Sequence, residues 1–340
     1  MIRVLTMNRQ PYPHSHIGGD EIQRVQLARN LRGTCKITHS HDDPTWREQP
    51  IDIIHSFNIR LDVTLQAAEL AQERHIPLVV NTIHLPGAWY DKRQEGRRIV
   101  EQAAALICNV KTTPHALAEE LNLPVDAVLD KSYWVPVGAP AEWHNTEVDY
   151  RIAPQEPFVL FAARYEERKG QVEFLKAWLA CRMDAMMSLY MVGDQRNPVF
   201  AECRRLSAGH PSVHVLGPVN HDDLKHWFSA CRVSVLPTLY DNPGMTNLEA
   251  AICGAAVVTT DIPSIREYFG DRVRYGQAGE PYTYIPRVVA SFTAGTEHDS
   301  LRQHVLHDFT WKRSAADLLR VYQTVLGDDD FSTRTAFLSV

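Results

Sequence analysis

Ser234-Val235-Leu236-Pro237-Thr238-Leu239-Tyr240-Asp241-Asn242-Pro243-Gly244-Met245-Thr246-Asn247-Leu248-Glu249-Ala250-Ala251-Ile252-Cys253-Gly254 reads as a strand, a tight turn and a short helix. The apolar run from Val233 to Leu236 suits a buried strand. Asp-Asn-Pro-Gly breaks it. Pro243 has a pre-set φ and no N–H, which suits the first helical position, and Asn242 suits the N-cap. Leu248, Ala251, Ile252 and Ala255 follow at helical spacing, Gly254 supplies a stop, and Ala256–Val258 is the next strand. Strand, helix and strand in this order belong to a parallel sheet. A helix starting at the carboxyl end of such a strand turns free N–H groups and partial positive charge into the crevice above the sheet, which suits a phosphate. Asp241 and Glu249 stand beside that crevice. Spacing alone leaves two readings open. They are a cap and a solvated helix residue, or they accept hydrogen bonds from ribose or sugar hydroxyls.

The 340 residues suggest two domains at ~150 residues each. A net charge of −6 argues against general nucleic-acid binding. No apolar run approaches the ~20 residues of a membrane span. The start, Met1-Ile2-Arg3-Val4-Leu5-Thr6-Met7, reads as a first strand rather than a signal peptide. Six scattered cysteines without a CxxC pair read as reduced core residues of a cytosolic protein. His14-x-His16 and His39-x-His41 lack the further ligands of a metal motif and read as surface loops.

Strands at 2–7, 51–57, 77–82, 104–109, 158–163, 188–192 and 213–216 alternate with helical patterns, predicting doubly wound parallel sheets. The first helix follows Gly18-Gly19, with Ile22, Val25, Ala28 and Leu31 as its apolar face. Arg164 and Lys169 sit five residues apart in a loop after a strand; they suit a diphosphate, or surface pairing with Glu166 and Glu167. Lys92, Arg93, Arg97 and Arg98 form a basic cluster on a predicted helix, 89–103, near Trp89 and Tyr90. It could touch anionic lipid or a lipid-diphosphate acceptor. The interleaved Asp91, Glu95 and Glu101 favour a solvated face.

Asp241 and Glu249 bracket seven residues around Gly244. This resembles the E-x7-E motif of retaining GT-B glycosyltransferases of the group 1 (family four) type, with Asp241 for the first Glu and Asn242-Pro243 for Gly-Phe. Arg164 and Lys169-Gly170 resemble that family's diphosphate loop, with Ala163 for its usual Gly. Gly193-Asp194 resembles its Val-Gly-Asp-Gly turn, and Gly217-Pro218-Val219 the loop that meets the base. Gly18-Gly19 resembles the glycine pair facing the donor phosphates or the acceptor, and His84 the histidine near the reacting sugar. Trp134–Pro140 resembles the stretch before the inter-domain linker, and Pro263-Ser264 with Glu267 the Gly-Gly-x-x-Glu segment.

The resemblance implies two Rossmann-like doubly wound domains facing a central cleft: an acceptor-side domain at 1–148 and a nucleotide-sugar domain at 149–310. It further implies a helix from Trp311 crossing back to the first domain, with a tail to 340. It implies transfer of a hexose-type sugar from a nucleotide-diphosphate donor to a glycan or lipid-linked acceptor, with retention, by a cytoplasmic protein at most peripheral to the membrane. Arg164, Lys169, Asp241 and His84 would be the catalytic residues. Donor binding would fall to Gly18, Gly19, Gly193, Asp194, Val219, Asn242, Gly244, Met245, Thr246 and Glu249. No cofactor and no metal are implied. Rival readings are a nucleotide-sugar epimerase or phosphorylase of the same architecture and a non-catalytic nucleotide-sugar binder.

Overall fold

The computed structural model describes residues 1–8, 18–59, 62–83, 92–195, 198–294 and 299–328. His84, Trp89, Tyr90, His14 and His16 lie outside them. The chain forms two compact units: Met1–Val137 with Trp311–Val340, and Gly138–Thr310. The polar stretch 145–157, whose composition and two prolines suggest a domain boundary, lies within the second.

In the first unit β1 (Ile2–Met7), β2 (Cys35–His39), β3 (Ile53–Phe57), β4 (Leu78–Asn81), β5 (Ala105–Cys108) and β6 (Ser132–Trp134) form one sheet, ordered β2-β1-β3-β4-β5-β6. Every pairing is parallel. Between the strands run α1 (Gly19–Asn30), α2 (Asp62–Arg74), α3 (Arg93–Gln102), α4 (Thr113–Leu121) and α5 (Val125–Leu129). In the second unit β7 (Phe158–Ala162), β8 (Ser188–Val192), β9 (Val213–Val215), β10 (Val233–Leu236), β11 (Ala256–Thr260) and β12 (Arg274–Gly276) give the parallel order β12-β11-β10-β7-β8-β9. Its helices are α6 (Gln171–Ala180), α7 (Pro198–Leu206), α8 (His221–Ala230), α9 (Met245–Cys253), α10 (Pro263–Phe269), α11 (Ile285–Ala294) and α12 (Asp299–Asp308). The last helix, α13 (Trp311–Leu326), belongs to the first unit and packs on α1.

Helices cover both faces of a parallel sheet, so its strands are buried along their length. That is why β3, β7 and β11 are buried at every residue. Leu5, Ile54, Val80 and Leu106 centre one core; Phe161, Phe174, Trp178, Val235 and Val258 centre the other.

Two expectations need correction. The buried face of α1 is not Ile22, Val25 and Ala28, which are only half-buried; it is Glu21, Gln23, Arg24, Gln26 and Leu27. The helix near Pro243 begins at Met245, with Gly244 as its N-cap at φ 85°, after a cis Asn242–Pro243 bond. Among the cysteines, Cys181 is exposed and the other five are buried. Among the described residues no helix is long and apolar enough to cross a membrane.

His55 on β3 is fully buried. Its Nε2 donates to Asn81 Oδ1 at 2.7 Å, and Tyr322 Oη of α13 donates to its Nδ1 at 2.6 Å. Burial holds its pKa down to about 4, against the bond to Asn81. The unfolded chain therefore takes up this proton first, near pH 6.5. The contribution of His55 is complete above pH ~6.5 and is lost as pH falls towards ~4. Between pH 7 and pH 4 the unfolding free energy should fall by about 3 kcal/mol more in the wild type than in His55→Gln. Denaturant titrations at the two pH values measure this, and equal slopes in the two proteins would refute it.

Candidate functional site

The site is built in the second unit, at the carboxyl ends of β7, β8, β9 and β10, where an open α/β sheet binds ligands. After β7 the chain turns through 163–170 into α6. Gly170 stands at φ 75°, and a Cβ there would lie 2.5 Å from the Pro237 carbonyl oxygen. A side chain is excluded, so the loop can press onto the end of β10. Thr238 Oγ1 and Leu239 N both donate to the Arg168 carbonyl, at 3.1 and 2.7 Å. This approach carries Lys169 to Asp241.

Lys169 Nζ donates to Asp241 Oδ2. Arg168 Nη1 stands 3.9 Å from Asp241 Oδ1, and Asn242 N donates to that oxygen at 3.1 Å. Ser264 Oγ of α10 donates to the Asp241 carbonyl at 2.6 Å. The pair is largely withdrawn from water, with side chains 11% and 14% exposed. Burial pushes the Asp241 carboxyl up, but the charges of Lys169 and Arg168 with the hydrogen bonds outweigh it and leave it below its ordinary value. Burial drives the Lys169 ammonium below its ordinary value despite Asp241.

Asp241 leads directly into α9. The first N–H groups of a helix have no intrahelical acceptor, so the start at Gly244, Met245 and Thr246 offers donors and partial positive charge beside Lys169. Asn247 is fully buried and donates to the Pro243 carbonyl at 3.4 Å and to Thr259 Oγ1 at 3.1 Å, which fixes this start against β11. Asn242 Oδ1 is buried without a hydrogen-bond partner.

Glu249, one turn further on, is 3% exposed, and His221 Nε2 meets its Oε1 at 2.8 Å. His221 opens α8, two residues past Val219, and its ring lies 5.1 Å from that of Trp143. Glu249 therefore faces the β9–α8 loop rather than solvent. Gly193 lies so close to the end of β7 that a Cβ would sit 1.9 Å from the Ala163 carbonyl oxygen, and Gly193 N donates to the Gly217 carbonyl at 3.3 Å. Gly193 thus lies beside the backbone of Arg164.

Arg164 itself is half exposed, 3.1 Å from Glu166. Glu166 also holds Arg168 Nε at 2.8 Å. Gln171 Nε2 donates to the Arg164 carbonyl at 2.7 Å and closes the loop. Lys169, Asp241, Asn242 and Gly244 come together, and Glu249 meets His221, two residues past Val219. Among the described residues no hydrogen bond or ion pair joins the Arg164 guanidinium to the start of α9; it pairs with Glu166. Gly18 and Gly19 stand at the start of α1 in the first unit, and His84 lies outside the described residues. The sequence reading missed Arg168, Gln171, His221 and Ser264. Arg168 carried a signal as a further cation in the loop between Arg164 and Lys169, but polar loop residues such as Ser264 carry none.

Residues 145–283 match the family described as glycosyl transferases group 1. The alpha-maltose-1-phosphate synthase of Mycobacterium tuberculosis (strain CDC 1551 / Oshkosh) is 26% identical over 216 residues, covering 58% of this chain and 55% of that protein. The chain thus spans about half the length of that relative. The D-inositol 3-phosphate glycosyltransferase of Paenarthrobacter aurescens (strain TC1) is 26% identical over 339 residues, covering 89% and 76%. Among solved structures, Anabaena Alr3699/HepE in complex with UDP and glucose aligns with a TM-score of 0.74 at 15% identity, over 95% of this chain and 100% of that one. The sucrose-phosphate synthase of Thermosynechococcus elongatus aligns with a TM-score of 0.76 at 14% identity, over 97% and 100%. The likeness fits the two six-stranded parallel sheets and gives the fold as GT-B.

Proposed function

We propose that this chain transfers a hexose-type sugar from a nucleotide-diphosphate donor to an acceptor hydroxyl of a glycan or lipid-linked saccharide, with the anomeric configuration retained. The observation that carries the reading is the Lys169–Asp241 pair at the start of α9, with Glu249 one turn beyond. The match of residues 145–283 to the group 1 glycosyl transferases and a structural neighbour holding UDP and glucose support it. Relatives named for a maltose 1-phosphate and an inositol 3-phosphate support a saccharide or polyol acceptor.

Cleavage of the donor builds negative charge on the departing diphosphate and leaves an oxocarbenium-like sugar. Lys169, Arg164 and the N–H groups of 244–246 stabilise the leaving charge. These groups meet the diphosphate without a metal ion, and the reading assigns none. Glu249 accepts from the ribose hydroxyls, with His221 holding its other side. Asp241 orients Lys169 and accepts from hydroxyls of the donor sugar once the diphosphate takes up the ammonium. The acceptor attacks on the face the diphosphate leaves, and the leaving phosphate takes its proton.

Peripheral membrane contact would fall to the basic cluster on α3. There Lys92 Nζ pairs with Asp62 at 2.7 Å, Arg97 Nε donates to the Leu121 carbonyl at 2.6 Å and Arg98 stands 3.4 Å from Glu69. These side chains are engaged within the first unit, which favours the solvated face.

A second reading, a non-catalytic nucleotide-sugar binder, is favoured by one observation: both Asp241 oxygens already have partners. Incubation with a panel of nucleotide sugars and saccharide acceptors separates the two. Release of free nucleoside diphosphate with formation of an α-linked product from an α-linked donor is expected. Binding of a donor without release of diphosphate would support the second reading instead.

A further inference from the structure

An amphipathic helix on a sheet buries its apolar residues. The buried residues of α1 are instead Glu21, Gln23, Arg24, Gln26 and Leu27, four of them polar. Arg24 is 3% exposed, and its Nε and Nη2 are buried without a hydrogen-bond partner. Buried guanidinium nitrogens without acceptors are among the costliest arrangements in a protein interior. Its charge is opposed at longer range by Asp42, which is exposed, and by Glu21. Glu21 Oε2 is taken by the Gly18 N–H at 2.8 Å, and burial together with Asp20 pushes its carboxyl up to about 7. Glu21 therefore gives Arg24 less than a full counter-charge near neutral pH.

The surroundings are polar as well. Gln23 Nε2 donates to Asn109 Oδ1 at 3.1 Å, just past β5. Asn8, just past β1, is buried, and its carbonyl accepts from His41 Nε2 at 2.5 Å. The charge of Arg24 is also felt by His39 at the end of β2. All of these lie at the carboxyl ends of β1, β2 and β5, the ligand-binding edge of such a sheet.

We infer that the first unit holds a binding site for a small polyhydroxylated molecule carrying an anionic group, phosphate or carboxylate, with Arg24 as the anion's partner and the neighbouring amides serving its hydroxyls. Under the transferase reading this molecule is the acceptor, or the anionic sugar end of a lipid-linked one. That clause rests on the proposed function; the binding itself does not, and is measured without any donor.

The test uses the full chain, with thermal unfolding and calorimetric titration of glucose 1-phosphate, inorganic phosphate, glucuronate and glucose. An anionic sugar should raise the melting temperature of the wild type, and glucose alone should not. A response to glucose 1-phosphate only assigns a phosphate; a response to glucuronate only assigns a carboxylate. The rise should persist in Lys169→Ala, which weakens the anion site of the second unit. In Arg24→Met affinity should drop by ~10- to 100-fold, the loss of a charge-assisted hydrogen bond, with part of it kept by Arg24→Lys. Without ligand, Arg24→Met should melt at or above the wild type, because an unpaired buried charge is gone. Three outcomes overturn the inference. One is no response to any anionic probe. Another is a rise kept by Arg24→Met and lost in Lys169→Ala. The third is a ligand-free Arg24→Met that is markedly destabilised or unfolded, which makes Arg24 a structural residue.

Discussion

Replacing Lys169 with alanine should lower turnover by roughly one to three orders of magnitude, by analogy with the removal of a single donor to a developing negative charge. The ammonium sits where the helix start of α9 and the loop after β7 converge, so its charge acts in a site largely withdrawn from water. The same removal at Arg164 should cost less, since that guanidinium is half exposed and paired with Glu166. Initial rates with the donor found in the nucleotide-sugar panel measure both. The loss should appear mainly in kcat, because the charge being stabilised grows as the bond breaks. Near-normal turnover by Lys169→Ala would remove the leaving-group role and leave the pair as a structural tie. Stability should suffer only moderately, because Asp241 keeps Arg168 and the Asn242 N–H.

Asp241→Asn should behave differently and unfold the second unit more readily. It leaves the Lys169 ammonium buried beside Arg168, with its principal counter-charge gone. Breaking a buried pair from one side costs about 3–5 kcal/mol. For a unit of this size that is a fall in melting temperature on the order of 10 °C. The penalty should shrink as pH rises. An ammonium pKa already lowered by burial falls further without the carboxylate, so the unfolded state binds the extra proton and stability increases with pH. The double variant Lys169→Met/Asp241→Asn should recover much of the loss in stability and none of the activity. Scanning calorimetry of the three proteins at pH 7 and pH 9 is the measurement. A single variant as stable as the wild type would show that the pair is not electrostatically coupled.

The fold was legible because parallel strands covered on both faces leave continuous apolar runs, and Ser188–Val192 and Val233–Leu236 have the limits the sequence suggests. Short edge strands such as Ser132–Trp134 and Arg274–Gly276 left no such run and were not anticipated. Within the site, Lys169 and Asp241 were readable from a shared pattern. Their contact was not, because it depends on how closely Gly170 approaches Pro237, a matter of tertiary packing. The partnership of His221 with Glu249 spans 28 residues and has no local signature. The helix after Gly18 failed for a different reason. Periodicity counts apolar residues, and α1 buries polar ones, so its buried face has no apolar stripe to read.

The placement of α13 has a consequence for synthesis. Tyr322 completes the surroundings of His55, yet it is translated 267 residues later. The unit spanning Gly138–Thr310 is contiguous and has its whole sequence available first. The amino-terminal unit must wait for residues 311–326, beyond the whole of the other unit, to acquire this helix. On the ribosome the order of completion should therefore run opposite to the usual N-terminal-first rule.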